Sequence, residues 1–176
     1  QLNGNTVVTT VMSNLGLYKS LEREGIDYEQ TAVGDKYVAE NMMENNYSIG
    51  GEQSGHIIFS RYSATGDGIL TSLMIMEACV EQKATLCDLA KEMKVYPQIL
   101  RNVRVADKKT ARENPKVVEA VEAAARALST DGRILVRESG TEPLIRVMVE
   151  AGTEEICAEH VNNVVRVMEE EGLVVE

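Results

Sequence analysis

The alternation of strand-patterned and helix-patterned runs through the first third of the chain does most to limit what it can fold into. Asn5 to Val11 (NTVVTTV) is β-branched and apolar, the pattern of a buried strand. Leu15 to Glu24 has helical spacing, and Gly25 is placed to stop it. A short strand is expected around Tyr28 to Val33. A turn follows at Gly34-Asp35-Lys36, where Asp35 reads as an N-cap, and then a helix over Tyr37 to Glu44. Tyr47 to Gly50 leads into the loop Gly51-Glu52-Gln53-Ser54-Gly55-His56 and an apolar strand, Ile57 to Ser60. Strand and helix alternating at this spacing predict a parallel α/β layer. After Gly66-Asp67-Gly68, with Asp67 as cap, a long helix ends at Gln82, and Ile69, Leu73, Ile75, Met76 and Val80 are expected to face inward. Thr85 with Asp88 three residues on predicts a capped helix running to about Met93.

The texture changes at Val95-Tyr96-Pro97, and a domain boundary is expected there, dividing the chain into 1–95 and 96–176. In the second part Leu100 to Val105 alternates as a half-exposed strand. Asn114-Pro115 is a cap followed by a first-turn proline, opening a helix with Val117, Val121, Ala124, Ala125 and Leu128 on one face. Thr130-Asp131-Gly132 makes a turn before two strand runs, Arg133 to Val136 and Leu144 to Val149. Thr153 caps a final helix striped by Cys157, Val161, Val164, Val165 and Met168, which Gly172 ends. Strand, helix, strand, strand, helix predicts a small α+β domain with two helices on one face of an antiparallel sheet.

Charge narrows the function classes. The net charge of −10 argues against a general nucleic-acid or anionic-membrane surface. It leaves room for one small anionic ligand in a local basic cluster. Seven Glu face Arg166 alone between Glu154 and Glu176, whereas Arg133 to Arg146 carries three Arg against two Glu. Cys79, Cys87 and Cys157 match no metal spacing and read as buried or half-buried thiols of a reducing cytoplasm. No apolar run approaches the length of a membrane span. The start at Gln1, close to a strand pattern, is the start expected of a piece of something longer.

Two loops carry the chemistry. Arg137-Glu138-Ser139-Gly140-Thr141-Glu142-Pro143, with Arg146 just beyond, combines two guanidinium forks, two hydroxyls and a glycine between two strands. Small residues let backbone N–H groups approach an anion, hydroxyls add donors, and arginine supplies planar charge, so the loop has the parts of a phosphate site. A plain strand-connecting turn with exposed charges has the same composition. In the other loop, glycines flank Glu52 and Ser54. A carboxylate and a serine suit sugar hydroxyls, and His56 is a candidate general acid/base; a turn whose polar side chains cap the backbone is the alternative. No Ser-His-Asp arrangement, GxxxxGK[ST] or GxGxxG occurs. A phosphosugar is the simplest ligand that uses both loops.

GGEQSGHIIF (Gly50 to Phe59) and RESGTEPLIRVMVE (Arg137 to Glu150) resemble two signature loops of the α-D-phosphohexomutases. NTVVTTVMSNLGL (Asn5 to Leu17) and VGDKYV (Val33 to Val38) resemble the bacterial branch acting on glucosamine phosphates, with Lys36 where Arg is the more usual residue. The resemblance covers essentially the whole chain and corresponds to most of the third and all of the fourth domain of a four-domain family, with the opening helix of the third missing. The fold class it implies is α/β: a partial three-layer domain with a mixed sheet between helices, then the small α+β domain. It implies an intramolecular phosphotransferase passing through a hexosamine 1,6-bisphosphate, with Mg²⁺ and a phosphoserine supplied by the other, N-terminal domains of the same protein. On this resemblance Glu52 and Ser54 hold sugar hydroxyls, with His56 beside the reacting centre. Arg137, Ser139, Gly140, Thr141 and Arg146 hold the phosphate that is not being transferred. No Asp-x-Asp-x-Asp run occurs in these 176 residues, so the chain alone is expected to be inactive and to hold no catalytic metal. Branches acting on mannose or glucose phosphates, or a non-catalytic phosphosugar-binding module, are the alternatives.

Overall fold

The computed structural model describes residues 2–175, which form two compact units that divide between Val95 and Tyr96. In the first unit, β1 (Thr6–Thr10), α1 (Leu15–Arg23), β2 (Asp27–Thr31), α2 (Asp35–Asn45), β3 (Ile49–Gly51) and β4 (Ile57–Phe59) precede α3 (Gly68–Gln82) and the short α4 (Leu86–Ala90). The sheet order is β2-β1-β3-β4; β1 runs parallel to both neighbours, and β4 closes the edge antiparallel, so the sheet is mixed.

Strand alternation separates the two faces of this sheet. Val8 and Ile58 point to one face and pack under Val38 and Met42 of α2. Gly50 permits that approach, because a Cβ there would lie 2.6 Å from Met42 Sδ and 2.8 Å from Val38 Cγ1. Tyr28 points to the opposite face, where its ring meets Tyr18 of α1 at 4.8 Å between centroids. Helices therefore lie on both faces, as a parallel pair of strands requires. The α1 side is incompletely covered. Val7, Thr9, Leu17, Ile49, Ile57 and Met93 are among the residues that line an open groove of about 340 Å³.

Several expectations need correction here. Helix α3 forms where its spacing predicts, with Asp67 accepting from the N–H groups of Ile69 and Leu70, yet none of its residues is buried. Ile69, Leu73, Ile75, Met76 and Val80 face outward, with Ile69 and Val80 more than three-quarters exposed. Apolar spacing defines a face that needs covering, but no described residue covers it. Cys87 is exposed, while Cys79 is half-buried and Cys157 buried. Helix α2 is capped by Gly34 rather than Asp35, and the capping box of Thr85 and Asp88 opens a helix that ends at Ala90, short of Met93.

The second unit runs β5 (Gln98–Arg104), α5 (Lys108–Glu113), α6 (Pro115–Leu128), β6 (Arg133–Glu138), β7 (Leu144–Glu150) and α7 (Glu154–Glu170), with an antiparallel sheet ordered β5-β7-β6. Helix α5, capped by Asp107, is an element that the sequence pattern missed. On β7, Ile145, Val147 and Val149 share a core with Val117 and Leu128 of α6 and Cys157, Val161, Val164 and Met168 of α7. On α6 the buried stripe is Val117, Ala120, Ala124 and Leu128; Ala125 is exposed, because a stripe three and four residues apart passes through Ala120 instead. The other face of the sheet carries Arg133, Leu135 and Arg137 opposite Glu150, Met148 and Arg146.

Candidate phosphate and sugar sites

In the first unit, β3 and β4 form a tight antiparallel pair whose connection is the glycine loop. The Glu52 N–H donates to His56 O at 3.0 Å and the Gly55 N–H to Glu52 O at 3.0 Å. Gly55 has φ of 97°, which a residue with a Cβ adopts only under strain. The loop presents Ser54 and His56 to solvent, with Ser54 Oγ 3.1 Å from His56 Nδ1. Glu52 is half-buried, and its Oε1 accepts the Gly34 N–H at 2.9 Å. That bond ties the Val33–Lys36 turn to the glycine loop across 18 positions of sequence, which no local pattern announces. A carboxylate has lone pairs to spare after one such bond and can still accept from hydroxyls. Lys36 stands nearby in sequence on the first turn of α2, where its Nζ lies 3.6 Å from Glu40 Oε1.

In the second unit, the β6–β7 hairpin brings the arginines together. Arg137 and Arg146 are direct cross-strand partners. Strand register puts their side chains on one face at a separation where like charges repel. The Nε of each is buried and without a hydrogen-bond partner. Burial first, and then the neighbouring Arg146 guanidinium, lowers the Arg137 pKa from the ordinary guanidinium value; the group still carries its charge at neutral pH. Glu142 partly offsets Arg146, with Oε2 at 3.6 Å from Nη2. Further along the same face, Glu150 is fully buried and accepts from Arg133 Nε at 2.6 Å and Gln98 Nε2 at 2.9 Å. One carboxylate thus answers Arg133, while the Arg137–Arg146 pair keeps unused donors.

The connecting loop is built by its own hydrogen bonds. The Ser139 N–H donates to Leu144 O at 2.9 Å, and the Glu142 N–H donates to Ser139 Oγ at 3.2 Å. Ser139 is therefore buried, with its hydroxyl accepting inside the turn, whereas Gly140 and Thr141 are exposed. Two residues that the sequence reading missed support the loop. Lys108 Nζ donates to Ser139 O at 2.7 Å, and Arg112 Nη1 lies 3.4 Å from Glu138 Oε1. Both belong to α5, whose Asp107 cap was the one available signal. Glu52, Ser54 and His56 thus share one loop of the first unit, and Arg137 through Arg146 share one hairpin of the second.

Among the described residues no group of three or more His, Cys, Asp or Glu could hold a metal ion, and no helix is long and apolar enough to cross a membrane. The described residues of this chain therefore do not fit a resident Mg²⁺.

Comparison with known proteins agrees with this architecture. The family description "Phosphoglucomutase/phosphomannomutase, alpha/beta/alpha domain III" matches residues 1–96, and "Phosphoglucomutase/phosphomannomutase, C-terminal domain" matches 100–167. The chain is 59% identical to the phosphoglucosamine mutase of Lachnoclostridium phytofermentans over 172 residues, which is 98% of this chain and 38% of that protein. It is 53% identical to the phosphoglucosamine mutase of Bacillus subtilis, across 97% of this chain and 38% of that protein. It spans about two fifths of the length of these relatives. Among solved structures, the N-acetylphosphoglucosamine mutase of Aspergillus fumigatus in complex with GlcNAc-6P and magnesium has the same fold, with a TM-score of 0.79 at 20% identity, over 95% of this chain and 39% of that one. A mixed sheet between helices, a three-stranded antiparallel unit and two family matches that leave few residues uncovered place the chain in the phosphoglucomutase/phosphomannomutase family.

Proposed function

We propose that this chain is the substrate-holding part of a phosphoglucosamine mutase, which interconverts glucosamine 6-phosphate and glucosamine 1-phosphate through a bound hexosamine 1,6-bisphosphate. Residues 1–95 hold the sugar and residues 96–176 hold the phosphate. The carrying observation is the Arg137–Arg146 pair: two adjacent guanidinium groups, each with a buried Nε lacking a partner. A buried unpaired donor costs about 1–3 kcal/mol, and a phosphate oxygen removes that cost while offsetting the repulsion between the two charges. Arginine forks suit the phosphate group bidentately. Gly140 and Thr141, exposed at the tip, and the Ser139 hydroxyl complete the donor set.

On this reading Glu52 and Ser54 take sugar hydroxyls, with the Gly34 N–H fixing the carboxylate in place. His56, held near Ser54 Oγ, is the candidate for moving a proton at the sugar oxygen. Phosphoryl transfer depends mainly on position and charge stabilisation, so a chain that grips both ends of a phosphosugar contributes by orienting it. The phosphoryl donor and Mg²⁺ belong, on this proposal, to the remaining part of a protein of the relatives' length.

Calorimetry of the 176-residue chain with glucosamine 6-phosphate tests the binding half. Binding that is lost in Arg137→Ala supports it, and undetectable binding at millimolar ligand overturns it. A turnover assay of the same chain with glucosamine 6-phosphate and a bisphosphate activator is expected to read at blank. Turnover well above blank would show that the chain carries the transfer chemistry itself.

A further inference from the structure

We propose that Lys108 is a positioning residue of the phosphate site, holding the Ser139–Gly140 peptide so that its N–H end faces the anion. The inference rests on the phosphate reading of the Arg137–Arg146 hairpin and adds a residue from an element outside it.

The hydrogen bonds of the loop leave two backbone donors over. The N–H groups of Ser139, Glu142 and Leu144 donate to Leu144 O, Ser139 Oγ and Glu142 O. Pro143 has no N–H, and its carbonyl accepts from Val105 N–H at 3.1 Å. Gly140 and Thr141 remain, both exposed and both without a backbone partner among the described residues. These are the two backbone donors that the loop leaves available to a ligand.

The direction of the Gly140 N–H is set by the other end of the same peptide unit. A trans peptide is planar, with its C=O and N–H pointing opposite ways, and none of the described peptides is cis. The Ser139 carbonyl accepts from Lys108 Nζ at 2.7 Å, so the Gly140 N–H points away from Lys108. Without that ammonium, little opposes rotation of the unit. Gly140 has no side chain, and a Cβ built on it meets nothing within 4 Å. A rotated unit would turn a carbonyl oxygen where the phosphate needs a donor, replacing attraction by repulsion.

Lys108 is itself well anchored. It opens α5, its side chain is half-buried, and the helix is fixed by the Asp107 cap at 2.7 Å to the Thr110 N–H and by fully buried Ala111. Arg112, one turn on, pairs with Glu138 and draws that carboxylate toward α5. Helix α5 therefore supports the loop through a peptide on one side and through the residue next to Arg137 on the other.

The test is amide NMR of the full 176-residue chain titrated with inorganic phosphate and with glucosamine 6-phosphate. In the wild type the Gly140 amide is expected to shift on titration. In Lys108→Met, core amides such as Ile145 and Val147 should stay in place, the Gly140 response should vanish, and affinity should fall by about tenfold, the effect of one lost hydrogen bond to a charged ligand. Lys108→Arg should restore both the shift and the affinity. A lysine that only stiffens the fold would lower the melting temperature of Lys108→Met while leaving the Gly140 response intact, and that result overturns the proposal. If Lys108→Met does not fold, Lys108→Ala, which also removes the donor to the Ser139 carbonyl, takes its place with the same two outcomes. A wild type that shows no phosphate-induced shift at Gly140, Arg137 or Arg146 sinks the phosphate site itself. A wild type that binds while Lys108→Met binds equally well sinks only the role of Lys108.

Discussion

Helices α3 and α7 carry apolar residues at the same helical spacing, yet only α7 buries them. In α7, Cys157, Val161, Val164 and Met168 have no exposed surface and meet the inner face of the β5-β7-β6 sheet. In α3, Ile69, Leu73, Met76 and Val80 stand exposed, although the helix is equally regular and equally well capped. The groove beside β1, β3 and β4 belongs to the same unit as α3. The second unit closes its core with its own residues, whereas the first leaves apolar surface uncovered. Periodicity in a sequence marks which face wants burial. Whether burial happens depends on an opposing surface, which is a property of the assembled chain.

The largest expected effect compares one substitution in both helices. Met168→Ala should cost about 2–5 kcal/mol in guanidinium unfolding, the usual range for a buried methionine. Met76→Ala should stay within about 0.5 kcal/mol, as exposed positions do. Equal costs would mean that α3 is covered in solution, and the contrast would collapse.

Arg137→Ala sharpens the comparison from the functional side. Phosphosugar affinity should drop by about 10–100-fold, the worth of charge-assisted hydrogen bonds. Thermal stability should hold or rise, since the substitution removes a buried unpaired Nε and the repulsion from Arg146. A large stability loss would instead make the pair structural.

Gly16→Ala probes the tight part of the otherwise open first unit. Alanine normally favours a helix by about 1 kcal/mol over glycine. At this position its Cβ would lie 1.8 Å from Lys94 O, a backbone atom that cannot swing aside. A net loss of about 1–3 kcal/mol is expected from overpacking of this kind; a gain would show that Lys94 moves freely.

The smallest effect is on pH dependence. Burial pushes the Cys157 thiol up, so the unfolded chain releases that proton first. Its contribution is intact below the unfolded thiol value of about 8.5 and is lost as pH rises through the folded value. The second unit should weaken slightly above that pH, and the slope should disappear in Cys157→Val. A thiol reagent at pH 8 should label exposed Cys87 quickly and Cys157 only after unfolding.

Much of the candidate site was legible because its residues lie close together in sequence. The hairpin arginines fall on strand runs that flank a short turn, so composition and patterning sufficed to bring them together. Glu52, Ser54 and His56 share the short loop Gly51-Glu52-Gln53-Ser54-Gly55-His56. What stayed hidden was long-range: the Glu52 bond to Gly34, the Lys108 bond to Ser139 carbonyl across 31 positions, and the registry that makes Arg137 and Arg146 direct partners. The burial of Ser139 was hidden for the same reason, since its hydroxyl is taken up by a turn hydrogen bond.

The sequence by itself determined most of the segments that become strands and helices, where most of the helices are capped, and which two loops carry the candidate site residues. Those properties follow from local backbone preference and from apolar spacing, which are written residue by residue. Only the tertiary structure decided that α7 is buried and α3 is not, that Glu150 answers Arg133 while Arg137 and Arg146 keep unpaired donors, and that α5 reaches the loop between β6 and β7. Each of these depends on which surfaces meet, and a short window of sequence holds no record of a partner tens of residues away.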